Sequence, residues 1–174
     1  MINILEHKSS SYAPRTYHNA AQGVTLAYAV DHTTAGEKLT QKAAGEKIVM
    51  VDANHTFDHL QPARALFKKL RDHDCHVVNV AGNGIYTFAK HGLGQVDVNQ
   101  SIYDILLTVN QHWPIHHIVS GGQSGADLAG LIAAAHLGIE CTGMWPKGYK
   151  MRFENGVDVY HTPEQIMEII NHYA

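Results

Sequence analysis

Ile118-Val119-Ser120-Gly121-Gly122-Gln123-Ser124-Gly125-Ala126-Asp127-Leu128-Ala129-Gly130 runs from a short apolar segment through paired glycines and a small-residue turn into an apolar-periodic stretch. That is the layout of a strand, a tight loop and a helix N-terminus. Such a loop aims backbone N–H groups and the positive end of a helix dipole at one point. An anion, most naturally a nucleotide phosphate, suits that point. Gly121 and Gly122 permit a tight turn and close approach of a ligand to the backbone. Ser124 can cap the following helix or donate to a phosphate oxygen. Gly125 and Ala126 keep the helix start thin. Asp127 falls in the first turn, where it can accept hydrogen bonds from a ribose or act as a base. The competing reading is that the glycine pair serves only tight packing of strand on helix.

Outward from this loop the chain alternates. Strands are predicted over 24–30, 47–52, 76–80, 117–120 and 139–144, and helices over 34–44, 62–73, 100–112, 124–137 and 163–172. Gly45 suits a helix C-cap, Pro62 a first helical turn and Thr162 an N-cap. This rhythm implies βαβ units and a parallel sheet with helices on both faces. The fold expected is a single doubly wound α/β domain spanning residues 1–174. Residues 1–20 are expected to be a loop or loosely held arm.

The 174 residues suffice for one domain with a proper core, and 45% hydrophobic against 17% charged residues fits a globular protein. No apolar run is long enough to span a bilayer, and no signal peptide is read. Cys75 and Cys141 each fall at an expected strand, as buried thiols, which points to a cytoplasmic protein. The net charge is −3 and the Lys and Arg residues are scattered, so nucleic-acid binding is not expected. Fourteen histidines make the charge responsive near pH 6.5. His116 and His117 are adjacent in a strand and point to opposite faces, so no metal site is read there.

The segment Ser120 to Asp127, with Ala134-Ala135-His136-Leu137-Gly138-Ile139 and Pro146-Lys147-Gly148, resembles the SLOG superfamily of Rossmann-like proteins. Within it the likeness is to the branch labelled molybdenum carrier or YpsA-like, and more distantly to the DNA-processing protein DprA and the LOG phosphoribohydrolases. The resemblance implies a Rossmann-like sheet with a nucleotide or nucleotide-derived ligand at the strand C-termini, and relatives that are often dimeric or larger. LOG enzymes carry a threonine after the last loop glycine and a glutamate three residues on. Ala126 and Ala129 stand at those places here, so the phosphoribohydrolase acid is absent and Asp127 is the nearest substitute.

The loops after the strands supply the other candidates. Asn83 can read a base or ribose and Tyr86 can stack on a base, against an ordinary Asn-Gly turn. Asp31 and Thr34 can line the same cleft, while Thr34 with Glu37 also fits a capping box. Lys147 can meet a phosphate, and Arg152 can clamp an anion. The candidate ligand-binding residues are therefore Gly121, Gly122, Gln123, Ser124, Gly125, Asn83, Tyr86, Asp31, Thr34, Lys147 and Arg152. Asp127 and Glu37 are the candidate catalytic acids.

Three functions compete. A sensor or sequestering protein would hold a nucleotide or ADP-ribose-like molecule. A nucleotide N-glycosidase would use Asp127 or Glu37 to stabilise an oxocarbenium-like ribose or activate water. Single-stranded DNA binding, the DprA-like option, fits the charge distribution least. No cofactor is implied. A homo-oligomer is expected.

Overall fold

Val24–Ala29 is buried along its whole length, as a strand covered on both faces must be. In the computed structural model, which describes residues 1–54 and 58–174, this segment is β2 of a six-stranded sheet. The other strands are β1 (Ile2–Glu6), β3 (Ile48–Asp52), β4 (Val77–Gly82), β5 (His117–Ser120) and β6 (Glu140–Trp145). They lie in the order β1-β6-β5-β4-β2-β3, and every pairing is parallel. A two-stranded antiparallel ribbon, β7 (Met151–Arg152) with β8 (Asp158–Val159), follows β6.

The helices are α1 (Tyr12–Ala20), α2 (Ala35–Ala44), α3 (Leu60–Asp72), α4 (Ile85–Ala89), α5 (Gln95–His112), α6 (Ala126–Leu137) and α7 (Pro163–Tyr173). α1 packs on α2 on one face of the sheet; α3, α5, α6 and α7 pack in series on the other. This is the doubly wound, Rossmann-like arrangement expected from the alternation. No helix among the described residues is long and apolar enough to cross a membrane.

The two faces differ in chemistry. Val24, Leu26, Tyr28, Val78 and Val80 join one hydrophobic cluster with α3, α5 and α6. The alternate residues, Thr25, Ala27, Ala29, Asn79 and Ala81, point the other way, toward α1 and α2. They are small or polar, and leave room under those two helices. Thr34, Gly45 and Thr162 cap their helices as expected. Thr34 accepts from the Glu37 N–H, and Thr162 and Gln165 form a reciprocal capping box before Pro163.

The structure corrects the N-terminal expectation. Residues 2–6 are an edge strand and residues 12–20 a helix, with a loop only between them. α5 starts five residues earlier than predicted, at Gln95, with Asp97 accepting the Gly94 N–H at 2.8 Å. The stretch carrying Tyr86 is the short helix α4 rather than a loop. Cys141 is buried in β6, whereas Cys75 precedes β4 and is half-buried.

Candidate functional site

β2 leads to β3 on one side and its neighbour β4 leads to β5 on the other, so the chain leaves these two adjacent strands in opposite directions. Ligands of open α/β sheets bind in the crevice that this divergence opens beyond the strand C-termini. A cleft occupies that place. Its inner chamber, about 170 Å³, is lined by α1, the start of α2, the end of β4 and the glycine loop. It opens into an outer chamber of about 490 Å³ that shares Tyr12, Glu37, Gly82 and Gln123.

From α1 come Tyr12, Arg15, Thr16 and Asn19. Their spacing of i, i+3, i+4 and i+7 puts all four on one helical face. Arg15 is buried, and its Nη1 donates to the carbonyls of Gly121 and Met144 at 2.8 Å each. It thus ties α1 to the loop after β5 and to the end of β6. Burial lowers its pKa, opposed by the charge of Asp127. Its Nε is buried without a partner among the described residues.

Glu37 sits in the first turn of α2. A reciprocal capping box would turn its side chain back to the Thr34 N–H. Instead the carboxyl lies in the inner chamber, 4% exposed, with Oε2 lacking a hydrogen-bond partner among the described residues. Burial, then the nearby charges of Asp127 and Asp31, push its pKa up to about 8. Asp127 forms part of the chamber floor. Burial raises its pKa to about 7, while Arg15 and the backbone N–H groups of Gln123 and Gly121 pull it down.

These shifts have a signed consequence. Each carboxyl holds its proton in the folded chain at a pH where the unfolded chain has lost it. Stability therefore falls by about 1.4 kcal/mol per pH unit for each such group across its window. For Glu37 the window runs from 4.5 to about 8. Glu37→Gln should be more stable than the parent chain, by a margin that widens as pH rises through this window and then levels off. Urea unfolding from pH 5 to pH 9 measures the margin; a pH-independent difference would contradict the burial argument.

The glycine loop is built differently from a phosphate cradle. The Gly122 N–H donates to Ser120 Oγ at 3.1 Å, and the Ser124 N–H to Gln123 Oε1 at 3.1 Å. The Gly125 N–H donates to Gln95 Oε1 at 2.7 Å, and the Ala126 N–H to the Asn83 carbonyl at 3.1 Å. Protein acceptors thus occupy the donors that an anion would need. Gly122 has φ +76°, and a Cβ there would lie 2.2 Å from Cε2 of the buried Trp145. Gly125, at φ +88°, would put a Cβ 2.3 Å from the Asn83 carbonyl. The packing reading of these two glycines is the one the geometry supports.

Ser124 neither caps α6, whose N-cap is Gly125, nor lines either chamber. Its Oγ accepts the Ile85 N–H at 3.3 Å and donates to the Arg152 carbonyl. Asn83 is a buried clip: Oδ1 accepts the N–H groups of Val30 and Asp31, and Nδ2 donates to the Asp31 carbonyl. Asp31 accepts from the Thr33 backbone and hydroxyl and lines neither chamber. Lys147 is exposed and also lies outside both.

The structure does gather Gly121, Gln123, Asp127 and Glu37 at the inner chamber, and Thr34, Asn83, Tyr86, Gln123 and Arg152 at the outer one. Arg15, Asn19, Thr40 and Asn79 complete the inner wall, and the sequence reading missed them.

The mouth is aromatic and cationic. Lys90 Nζ stands 4.0 Å from the Tyr86 ring centroid, and Lys150 Nζ 5.9 Å from that of Tyr12. Arg152 pairs with Asp158 at 2.8 Å, and Lys150 reaches the same carboxylate at 3.9 Å. Arg152 and Lys150 thus share the one carboxylate of Asp158, while Lys90 stands over Tyr86, above a chamber holding two carboxyls and one guanidinium.

None of the described histidines lines either chamber. The His76 ring stacks between Trp113 at 4.7 Å and His116 at 4.4 Å, while His117 Nε2 contacts Thr142 Oγ1 at 2.9 Å. Among the described residues, no three His, Cys, Asp or Glu gather as a metal-ligating group.

Residues 118–167 match the family model described as the circularly permutated YpsA SLOG family. The matched span carries β5, the glycine loop, α6, β6 and the β7–β8 ribbon. No curated protein and no solved structure matches the chain.

Proposed function

We propose, from the SLOG/YpsA-like membership that residues 118–167 support, that the chain binds a nucleotide-derived small molecule in this cleft, as a sensor or sequestering protein. The observation that carries this reading is the polarity of the cleft. Its mouth presents two aromatic rings, each with a lysine over its face, together with Arg152. Its interior presents the Glu37 and Asp127 carboxyls beside the Arg15 guanidinium, with neutral hydrogen-bonding groups around them. The base stacks at the rings and phosphate oxygens meet the surplus cations, with the rest of the ligand reaching inward. The outer chamber alone lies within the size range of small-molecule sites.

The test is calorimetric titration and thermal shift with nucleoside mono- and diphosphates, cyclic nucleotides, ADP-ribose and NAD. One class should raise the melting temperature by several degrees at saturating concentration. Tyr86→Ala should weaken that ligand by roughly tenfold or more, since stacking a base on an aromatic ring contributes about 1–3 kcal/mol. A panel with no binder overturns the reading.

A second reading rests on Glu37 and Asp127, two carboxyls held near neutrality in one chamber. In N-glycoside hydrolysis, the C–N bond to the anomeric carbon breaks and the base leaves with a proton. Water adds its oxygen to that carbon, giving up a proton to a carboxylate. Chromatography of the ligand after incubation separates the two readings. Intact ligand supports sequestration; free base that disappears in Asp127→Asn supports hydrolysis.

A further inference from the structure

Two unpartnered buried atoms belong to the wall of one small chamber: Arg15 Nε, which only donates, and Glu37 Oε2. Both residues are 4% exposed. Native structures rarely leave such atoms unsatisfied, so each calls for a partner that the described residues do not provide. The chamber, at about 170 Å³, has room for roughly five or six waters, the size of a sugar ring and too small for a whole nucleotide.

The chemistry of the occupant follows from what each atom can exchange. A phosphate or carboxylate accepts from Arg15, but it suits only a protonated Glu37: once Glu37 or Asp127 ionises, it has no proton to offer and is repelled. An ammonium group satisfies Glu37 and leaves Arg15 facing a like charge. A hydroxyl both donates and accepts. Two neighbouring hydroxyls serve both atoms together, and they serve Glu37 in either protonation state, because they accept from a carboxylic acid as readily as they donate to a carboxylate. Thr16 and Asn19 add further polar groups to the same wall. The glycine loop offers no competing anion site here, since its N–H groups from Gly122, Ser124, Gly125 and Ala126 are engaged by protein acceptors.

We infer that the inner chamber is a subsite for the vicinal diol of a five-membered sugar, read by Glu37 and Arg15, with the ligand's phosphate held outside at the cationic mouth. This inference rests on the binding reading above and fixes the orientation of the ligand. Glu37 and Arg15 are the residues that discriminate a ribose from its deoxy analogue.

The test compares AMP with 2′-deoxy-AMP and 3′-deoxy-AMP by calorimetry, or the corresponding trio built on whichever nucleotide the panel identifies. Inorganic phosphate is titrated as a competitor. Loss of one hydroxyl should weaken binding by about 10-fold or more, because it leaves a buried partner unpaired. Glu37→Leu should erase most of that preference while the nucleotide still binds through the mouth. Glu37→Gln, which keeps a hydrogen-bonding group of the same size, should retain part of it. Melting temperatures of both variants establish that they are folded. Equal binding of the ribo and deoxy forms overturns the inference and leaves the binding reading standing, as does inorganic phosphate competing at the chamber with the Glu37→Leu preference unchanged. Failure of every nucleotide to bind overturns both.

Discussion

Arg15→Ala should destabilise the chain by roughly 2 kcal/mol or more, the cost of leaving two carbonyl acceptors without their donor. Two causes add. The carbonyls of Gly121 and Met144 lose the guanidinium that each accepts from at 2.8 Å. A buried acceptor left without a donor costs about 1–3 kcal/mol. Asp127 loses the cation that opposes its protonation, so its pKa moves further above its present position of about 7. Urea unfolding measures the stability term. Arg15→Lys should fall between the parent and Arg15→Ala, because an ammonium keeps the charge but cannot reproduce the planar geometry of the guanidinium. A loss below about 1 kcal/mol for Arg15→Ala would mean that α1 is not fastened to the loops in this way.

Gly122→Ala should cost roughly 3 kcal/mol or more, combining overpacking with a left-handed backbone that L side chains resist. The new methyl would meet Trp145 at 2.2, 2.4 and 2.7 Å. Trp145 is wholly buried, so its ring has no vacant direction in which to yield. Gly138 provides the control. It has φ +68°, but a Cβ there meets nothing within 4 Å. Gly138→Ala therefore isolates the backbone term, about 1–2 kcal/mol. The difference between the two variants in urea midpoint is the contact with Trp145. Equal losses would show that backbone strain alone makes position 122 a glycine.

The sequence made the alternation of strands and helices legible because buried parallel strands are short apolar runs, and because Gly45, Pro62 and Thr162 punctuate the helices. It hid β1 because Ile2-Asn3-Ile4-Leu5-Glu6 is a half-exposed edge strand, too short for its alternation to stand out. It hid α1 for a different reason. Apolar stripes mark helices in a sequence, whereas the inward face of α1 is the stripe Tyr12, Arg15, Thr16, Asn19, set against a cavity rather than a core. Polar residues at helical spacing were the available signal. Pro14 added to the difficulty, although it stands in the first turn, where a missing N–H does no harm.

The candidate acids were legible as types but not as environments. Glu37 fitted a capping box by spacing, and only the packing of α1 on α2 shows its carboxyl turned into the cleft. The glycine loop is legible in the sequence as strand, turn and helix. What spacing could not reveal was that Gln95 and Asn83, 30 and 43 residues away along the chain, supply its acceptors. Ser124 and Asn83 have the residue types of ligand readers, yet their hydrogen-bonding atoms are engaged in joining loops.

The pairing of β1 with β6 bears on how the cleft comes into being. Ile2 lies opposite Cys141, and Glu6 opposite Trp145. Closing so long a stretch of chain is entropically costly and tends to occur late in assembly. The helix that follows β1 carries Arg15, whose two acceptors are also more than a hundred residues downstream. The strands β2 to β5 can thus register with their neighbours while the cleft still lacks its roof. Competence to bind would then arrive as the final event of maturation, and a chain frayed at this one edge would keep most of its sheet while having no site.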